Sequence, residues 1–312
     1  MSILNRIAAV DVGSNGIRLA IAEPSDTSDF PFTIIDTRRA AVRLGADSFH
    51  LGYLTETTID KVVEALREFH LNMDEMKVKQ YRAVATSAVR DCANNQALIN
   101  EVRKRAGVKI EIIGGLEEAQ LMYHAIATKY PLKNESAILI DMGGGSVELT
   151  VVEEGHASGA ETLPLGPVRL LSQLDLHSLS ELKTTQLINP QATAIRTFIK
   201  TEIADPESPV ISYACGGNIE ALGKLRIPIL GKSKSYKIKL NDLQTITPVL
   251  LAMSVQERID EFNLRPDRAD VIAIAAVVLQ MIMEQANLKR ILIPGLGIKD
   301  GILLQMTSKH FP

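Results

Sequence analysis

Short β-branched, apolar stretches at 7–12, 17–22 and 32–37, with turn-forming residues between them, predict three strands joined as hairpins. The period then changes. Over 56–76 the apolar residues Ile59, Val62, Val63, Leu66, Phe69 and Met73 recur at helical spacing. A strand at 82–86, a helix near 94–106 and a strand at 108–113 follow. Gly114 and Gly115 open a long helix that reaches about Tyr130 and is closed by Pro131. The second half repeats the order, with strands at 136–141, 147–153 and 157–163, a helix over 187–203, a strand at 209–214 and a helix over 216–225. A helix over 270–286 and a strand over 290–293 lead into a last helix from about 298. Strand hairpins followed by alternating helix and strand predict an α/β protein with mixed sheets covered by helices.

The 312 residues allow one large domain or two of ordinary size. The formal net charge of −3 does not point to a general polyanion-binding surface, so nucleic acid is not an expected partner and basic groups serving a polyanion must be local. No apolar run reaches the ~18 residues needed to span a bilayer, and the N-terminus lacks a secretory pattern, so no membrane partner is expected. Two cysteines, Cys92 and Cys215, cannot make a disulfide framework and suggest a reducing compartment. The expected setting is cytoplasmic.

Two segments carry one local design. In AAVDVGSNGIRLAIAE (8–23) and ILIDMGGGSVELTVVEEG (138–155), Asp11 aligns with Asp141, Gly13 with Gly143, Ile17 with Val147 and Leu19 with Leu149. Each strand ends on an aspartate, passes through a glycine turn, and resumes as a second strand. A turn without side chains lets successive N–H groups approach an anion closely, and an aspartate beside a phosphate calls for a cation between them. Phosphate plus Mg²⁺, with Asp141 as ligand, is the economical reading; a tight glycine hairpin with a solvated Asp is the plain one. Strand alternation puts Glu148 on a face that can approach Asp141, whereas the matching position in the first copy is Arg18. One half suits metal and the other phosphate oxygen, with a solvated surface charge as the alternative for Arg18.

A third glycine turn, CGGNIEALGKL, holds Gly216, Gly217 and Asn218 at a helix start, where free N–H groups bind anions but close helix–strand packing also demands small residues. Cys215 does not make a phosphatase Cys-x5-Arg motif, because position 221 is Ala, and reads as a small buried residue. In GGLEEAQL the two acids suit a helix N-terminus, and angular position separates them. At about 100° per residue Glu118 lies within roughly 10° of the stripe made by Leu121, Met122, Ala125 and Ile126, and Glu117 roughly 110° away. A carboxylate on a buried stripe is costly unless it lines a cleft, so Glu118 is the candidate base or water-orienting group. Arg90, just past a strand end, is a candidate to neutralise a phosphoryl group, or else to pair with a nearby acid.

Together the segments DVGSNGIRL, VRLG, ATSAVRD, GGLEEAQL, LIDMGGGSVEL, PLGPVRL, CGGNIEALGKL, RADVI and GLGIKDG resemble the exopolyphosphatase/guanosine pentaphosphate phosphatase family of the actin-like ATPase superfamily. The resemblance implies two actin-like (ribonuclease H-like) domains around a cleft, 1–118 with about 299–312 and 119–298, with the helix after Gly301 returning to the first. It implies Mg²⁺ or Mn²⁺ near Asp141 and Glu148, and Glu118 as the catalytic carboxylate aided by Arg90. Phosphates are expected on Gly13, Ser14, Asn15 and Arg18, on Gly143, Gly144, Gly145 and Ser146, and on Gly216, Gly217 and Asn218. The implied activity is release of terminal phosphate from polyphosphate or from guanosine pentaphosphate, a stringent-response nucleotide, with a homodimer as the candidate assembly. A pppGpp phosphohydrolase, a small sugar kinase of the same superfamily and a non-enzymatic assembly protein are the alternatives. Gly217-Asn218 stands where the family usually has Gly-Thr, and Lys299-Asp300 where it has Arg-Glu. Longer members continue beyond the position of Pro312 into a helical HD-like domain, so distributive cutting of long polymers is expected, with Arg43 and Lys299 as basic residues at the cleft mouth.

Overall fold

The computed structural model describes residues 5–26, 29–130, 132, 135–174, 181–203 and 210–307, with 181–184 as backbone only. Position 209 of the expected strand and 308–312 of the expected first domain lie outside the described residues. The chain forms two compact units, Met1–Tyr130 with Gly297–Pro312, and Pro131–Leu296. The boundary expected at 118/119 falls inside a helix that belongs wholly to the first unit.

The first unit opens with β1 (Ile7–Gly13), β2 (Gly16–Pro24) and β3 (Phe32–Ala40), an antiparallel meander. It continues through α1 (Leu44–Leu51), α2 (Glu56–Glu75), β4 (Gln80–Ala85), α3 (Ser87–Arg90), α4 (Asn95–Ala106), β5 (Ile110–Ile112) and α5 (Gly115–Lys129). β4 joins β1 and β5 joins β4 in parallel, so the strand order is β3-β2-β1-β4-β5. Alternation sends Ala8, Val10, Val12, Ile17, Leu19 and Ile21 into a core with Val62 and Leu66 of α2 and Leu98 and Val102 of α4. The opposite face carries Ala9, Asp11 and Arg18. The short helices α1 and α3 were not expected, because one or two turns leave no period to read.

The second unit runs through β6 (Ser136–Met142), β7 (Val147–Glu153), β8 (His156–Leu163), α6 (Pro167–Leu171), α7 (Glu181–Glu202), β9 (Val210–Cys215), α8 (Gly217–Leu230), β10 (Lys237–Lys239), α9 (Leu240–Ala252), α10 (Val255–Phe262), α11 (Pro266–Ala269), α12 (Ile272–Gln285) and β11 (Arg290–Leu292). Its order is β10-β11-β9-β6-β7-β8. Read from the β8 end, the first five strands repeat the order of the first sheet, and β10 is an addition. The duplicated α/β architecture, two mixed sheets flanked by helices, is therefore present. α12 is buried on nearly every side, as an all-apolar helix must be. Pro228 lies within α8 and Pro248 within α9, and both helices extend through stretches that a proline makes look like boundaries.

The last helix, α13 (Ile298–Thr307), belongs to the first unit and packs on α5 and β1, covering the Asp11 face of the sheet. The two helices touch backbone to backbone, since a Cβ on Gly301 would lie 2.2 Å from the Leu121 carbonyl oxygen. Among the described residues no helix is long and apolar enough to cross a membrane.

Candidate active site

In the first unit the glycine turn closes with Gly13 opposite Gly16 and Asp11 opposite Arg18. Residues opposite each other in an antiparallel pair share a face, and Arg18 Nη1 stands 3.5 Å from Asp11 Oδ2. Arg18 is in turn opposite Arg39 of β3. Arg39 Nη2 donates to the Asn15 carbonyl (2.9 Å), Arg43 Nε donates to Asn15 Oδ1 (2.8 Å), and the Gly45 N–H donates to the Ser14 carbonyl (2.9 Å). The Ser14 and Ser87 hydroxyls are 3.0 Å apart and buried. The Ser14 and Asn15 side chains thus hold the turn in place, among three arginines. Burial pushes the Asp11 carboxyl above its ordinary value, against the opposing pull of Arg18 and Lys299. Lys299 itself is paired with Asp300, 2.6 Å away, whose carboxylate also accepts the Gly297 N–H (2.8 Å).

The first turn of α5 separates its two acids as angular position requires. Glu118 is only 4% exposed, on the stripe with Leu121, Met122, Ala125 and Ile126. Glu117 is more than a third exposed and pairs with Arg82 at 2.6 Å. Arg82 also reaches Glu111 (3.1 Å) and the Gln305 amide oxygen of α13, so one guanidinium ties β4, β5, α5 and α13 together. Arg90, at the end of α3, donates through Nη1 to Glu118 Oε1 (2.7 Å) and to the Ile113 carbonyl (2.8 Å). Arg90 thus pairs with acids, with Glu118 at 2.7 Å and through Nε with Asp91 at 3.6 Å.

In the second unit Asp141 lies opposite Glu148 across the β6–β7 pair, and both are buried. The Ser146 hydroxyl donates to Glu148 Oε1 at 2.6 Å. The glycine turn is clamped by a segment whose role sequence reasoning missed. The Val168 and Arg169 N–H groups at the start of α6 donate to the Gly144 carbonyl (2.8 and 3.2 Å), and Arg169 Nε donates to the Gly145 carbonyl (2.6 Å). Across a trans peptide the N–H points opposite the carbonyl, so the amides of Gly145 and Ser146 are turned away from α6. Gly166 permits the contact, since a Cβ there would lie 2.2 Å from the Gly145 carbonyl carbon. The available signal was PLGPVRL itself, a glycine before a proline at the first turn of a helix.

The third turn has a packing reason of its own. Gly216 adopts φ +110°, and a Cβ there would lie 2.4 Å from the Met142 carbonyl oxygen. Asn218, on the first turn of α8, accepts a hydrogen bond through Oδ1 from Arg268, with both side chains buried. Cys215 is buried beside Asp141 in register and is not in a disulfide.

Among the described residues no group of three or more His, Cys, Asp or Glu could hold a metal ion. Asp141 and Glu148 do not form an all-protein cage. Two hard-oxygen carboxylates on one face do fit Mg²⁺, which keeps several waters and is commonly held by one or two carboxylates together with phosphate oxygens.

The chain matches the family model described as the Ppx/GppA phosphatase family over residues 20–310. Exopolyphosphatase 1 of Mycobacterium tuberculosis is 24% identical over 310 residues, covering 96% of this chain and 88% of that protein. Exopolyphosphatase 1 of Mycobacterium leprae is 23% identical over 310 residues, covering 96% of this chain and 89% of that protein. Among solved structures, an exopolyphosphatase from Cytophaga hutchinsonii superposes with a TM-score of 0.86 at 23% identity, over 96% of this chain and 97% of that one. A Ppx/GppA family member from Aquifex aeolicus gives a TM-score of 0.73 at 24% identity, over 99% and 100% of the two chains. At such identities the solved structures bear on the fold alone.

Proposed function

This chain belongs to the Ppx/GppA phosphatase family, and from that premise we propose that it is a phosphoanhydride hydrolase releasing the terminal phosphate of inorganic polyphosphate. Family membership weighs against the sugar-kinase and assembly-protein readings. The main support in the residues is the contrast between the two hairpins: Asp141 faces a carboxylate in one, and Asp11 faces a cation in the other. Each hairpin by itself offers one kind of partner for phosphate, a carboxylate pair for a bridging cation in one and a guanidinium in the other, and phosphoryl transfer depends on positioning and on charge stabilisation of the phosphate oxygens.

In this reading the amides of Gly145 and Ser146 bind phosphate oxygens, and Asp141 and Glu148 would hold Mg²⁺, which when bound neutralises phosphate charge. In the first unit Arg18 offers a guanidinium to phosphate oxygen. Glu118 orients the attacking water and accepts its proton, with Arg90 holding the carboxylate through the 2.7 Å bond. Guanosine pentaphosphate ends in the same phosphoanhydride group and is the second proposed substrate, which the GppA part of the family description favours. The proposed setting is cytoplasmic, in keeping with two buried cysteines that are not joined in a disulfide. Phosphate release should be measured on polyphosphate, guanosine pentaphosphate and ATP, with Glu118→Gln as control. Release from polyphosphate that disappears in the variant is expected; release from ATP alone would overturn the proposal.

A further inference from the structure

A cavity of about 320 Å³ opens in the second unit, lined by Lys239, Leu240, Asn241, Lys289 and Arg290. Lys239 of β10 lies directly opposite Arg290 of β11 in an antiparallel pair. Residues so placed project to one face with Cβ atoms about 5 Å apart, and like charges there are destabilising. Lys289 brings a third cation to the same lining. Among the described residues none of the three makes an ion pair. Asp242, close in sequence, is buried and committed to Arg226 Nε at 2.7 Å and to the Lys239 backbone N–H at 3.0 Å.

The cavity is also remote from the glycine turn of its own unit. β11 runs parallel to β9, with Leu292 opposite Tyr213, so Arg290 sits near the start of the sheet. Asp141 is opposite Cys215, at the far end of β9. Four residues of strand separate the two levels, on the order of 13 Å, and β9 lies between β11 and β6. β10, which supplies Lys239, is the strand with no counterpart in the first sheet.

We propose that this cavity is a second anion site, for a ligand carrying two or three linked phosphates. Three cations around one concavity repel one another until a multivalent anion enters, and a lone monovalent ion would leave most of that repulsion in place. The volume is at the small end of the about 300–1,000 Å³ range of ligand pockets. Asn241 adds an amide donor, and the lining has no aromatic face to read a base. The site does not depend on the hydrolase reading.

The test is calorimetric titration of sodium tripolyphosphate into the full chain in EDTA, compared with the Lys239→Glu/Arg290→Glu double variant. Loss of one binding equivalent, or a weakening of about tenfold or more, with unchanged phosphate release, is expected. That loss is read whether the wild type starts from two equivalents or, if the glycine turns bind none, from one. Lys239→Gln/Arg290→Gln serves should charge reversal impair folding, as judged by the melting temperature. Identical titration curves for wild type and variant would overturn the proposal. A nucleoside triphosphate should show the same loss as tripolyphosphate, and binding of the nucleotide alone would equally overturn it.

Discussion

Replacing Glu118 by Gln separates chemistry from stability. The buried carboxylate accepts a hydrogen bond from Arg90 Nη1 at 2.7 Å, and a glutamine amide oxygen can accept that bond from the same place. What is lost is charge and basicity, not shape. A positioned general base contributes about 10²–10⁴-fold, so phosphate release should fall by at least about 10²-fold while the melting temperature moves little. Arg90→Met should behave differently. Removing one partner of a fully buried ion pair costs about 3–5 kcal/mol, and with the Arg90 side chain a quarter exposed a figure of about 2–3 kcal/mol is the appropriate scale. That variant should lose both activity and thermal stability. Glu117→Gln breaks a partly exposed pair with Arg82, for which about 1 kcal/mol or less is expected with turnover retained. The assay is phosphate release from polyphosphate together with thermal melts on all three variants. Equal losses of turnover in Glu117→Gln and Glu118→Gln would refute the argument from the buried stripe.

Asp141→Asn and Glu148→Gln should each raise the Mg²⁺ concentration that gives half-maximal activity, and full activity in excess EDTA would eliminate the two-carboxylate site. Gly166→Ala forces a Cβ to within 2.2 Å of the Gly145 backbone, so the turn must move; a loss of about 1–3 kcal/mol in unfolding experiments and a raised KM are expected, and a wild-type melting curve would contradict the clamp. Burial holds the Asp11 carboxyl above its ordinary value, so the folded state takes up protons and wild-type stability falls as pH rises from the unfolded value through the raised one. Asp11→Asn should therefore stabilise the chain most at neutral pH, with the advantage shrinking toward pH of about 4; an advantage that grows on acidification would reverse the assignment.

Much of the candidate site was legible because it is local. Asp141 and Glu148 face each other because a hairpin joins them, and the side-chain period of two settles which face each occupies. The same arithmetic pairs Asp11 with Arg18, and the helical period alone puts Glu118 on the buried stripe and Glu117 off it. Duplication was readable for the same reason, since each copy keeps its spacing within one hairpin. Some local signals went unread, among them the Ser254–Glu257 capping box that opens α10. Other features have no local signature. Arg90 meets Glu118 across 28 positions, Arg169 reaches Gly145 across 24, and Arg82 reaches Gln305 across 223. Lys239 and Arg290 become neighbours only when β10 adds to the sheet. Periodicity specifies which way a side chain points from its own strand or helix, whereas the group it meets depends on how distant elements pack. For these residues that was decided by tertiary structure alone.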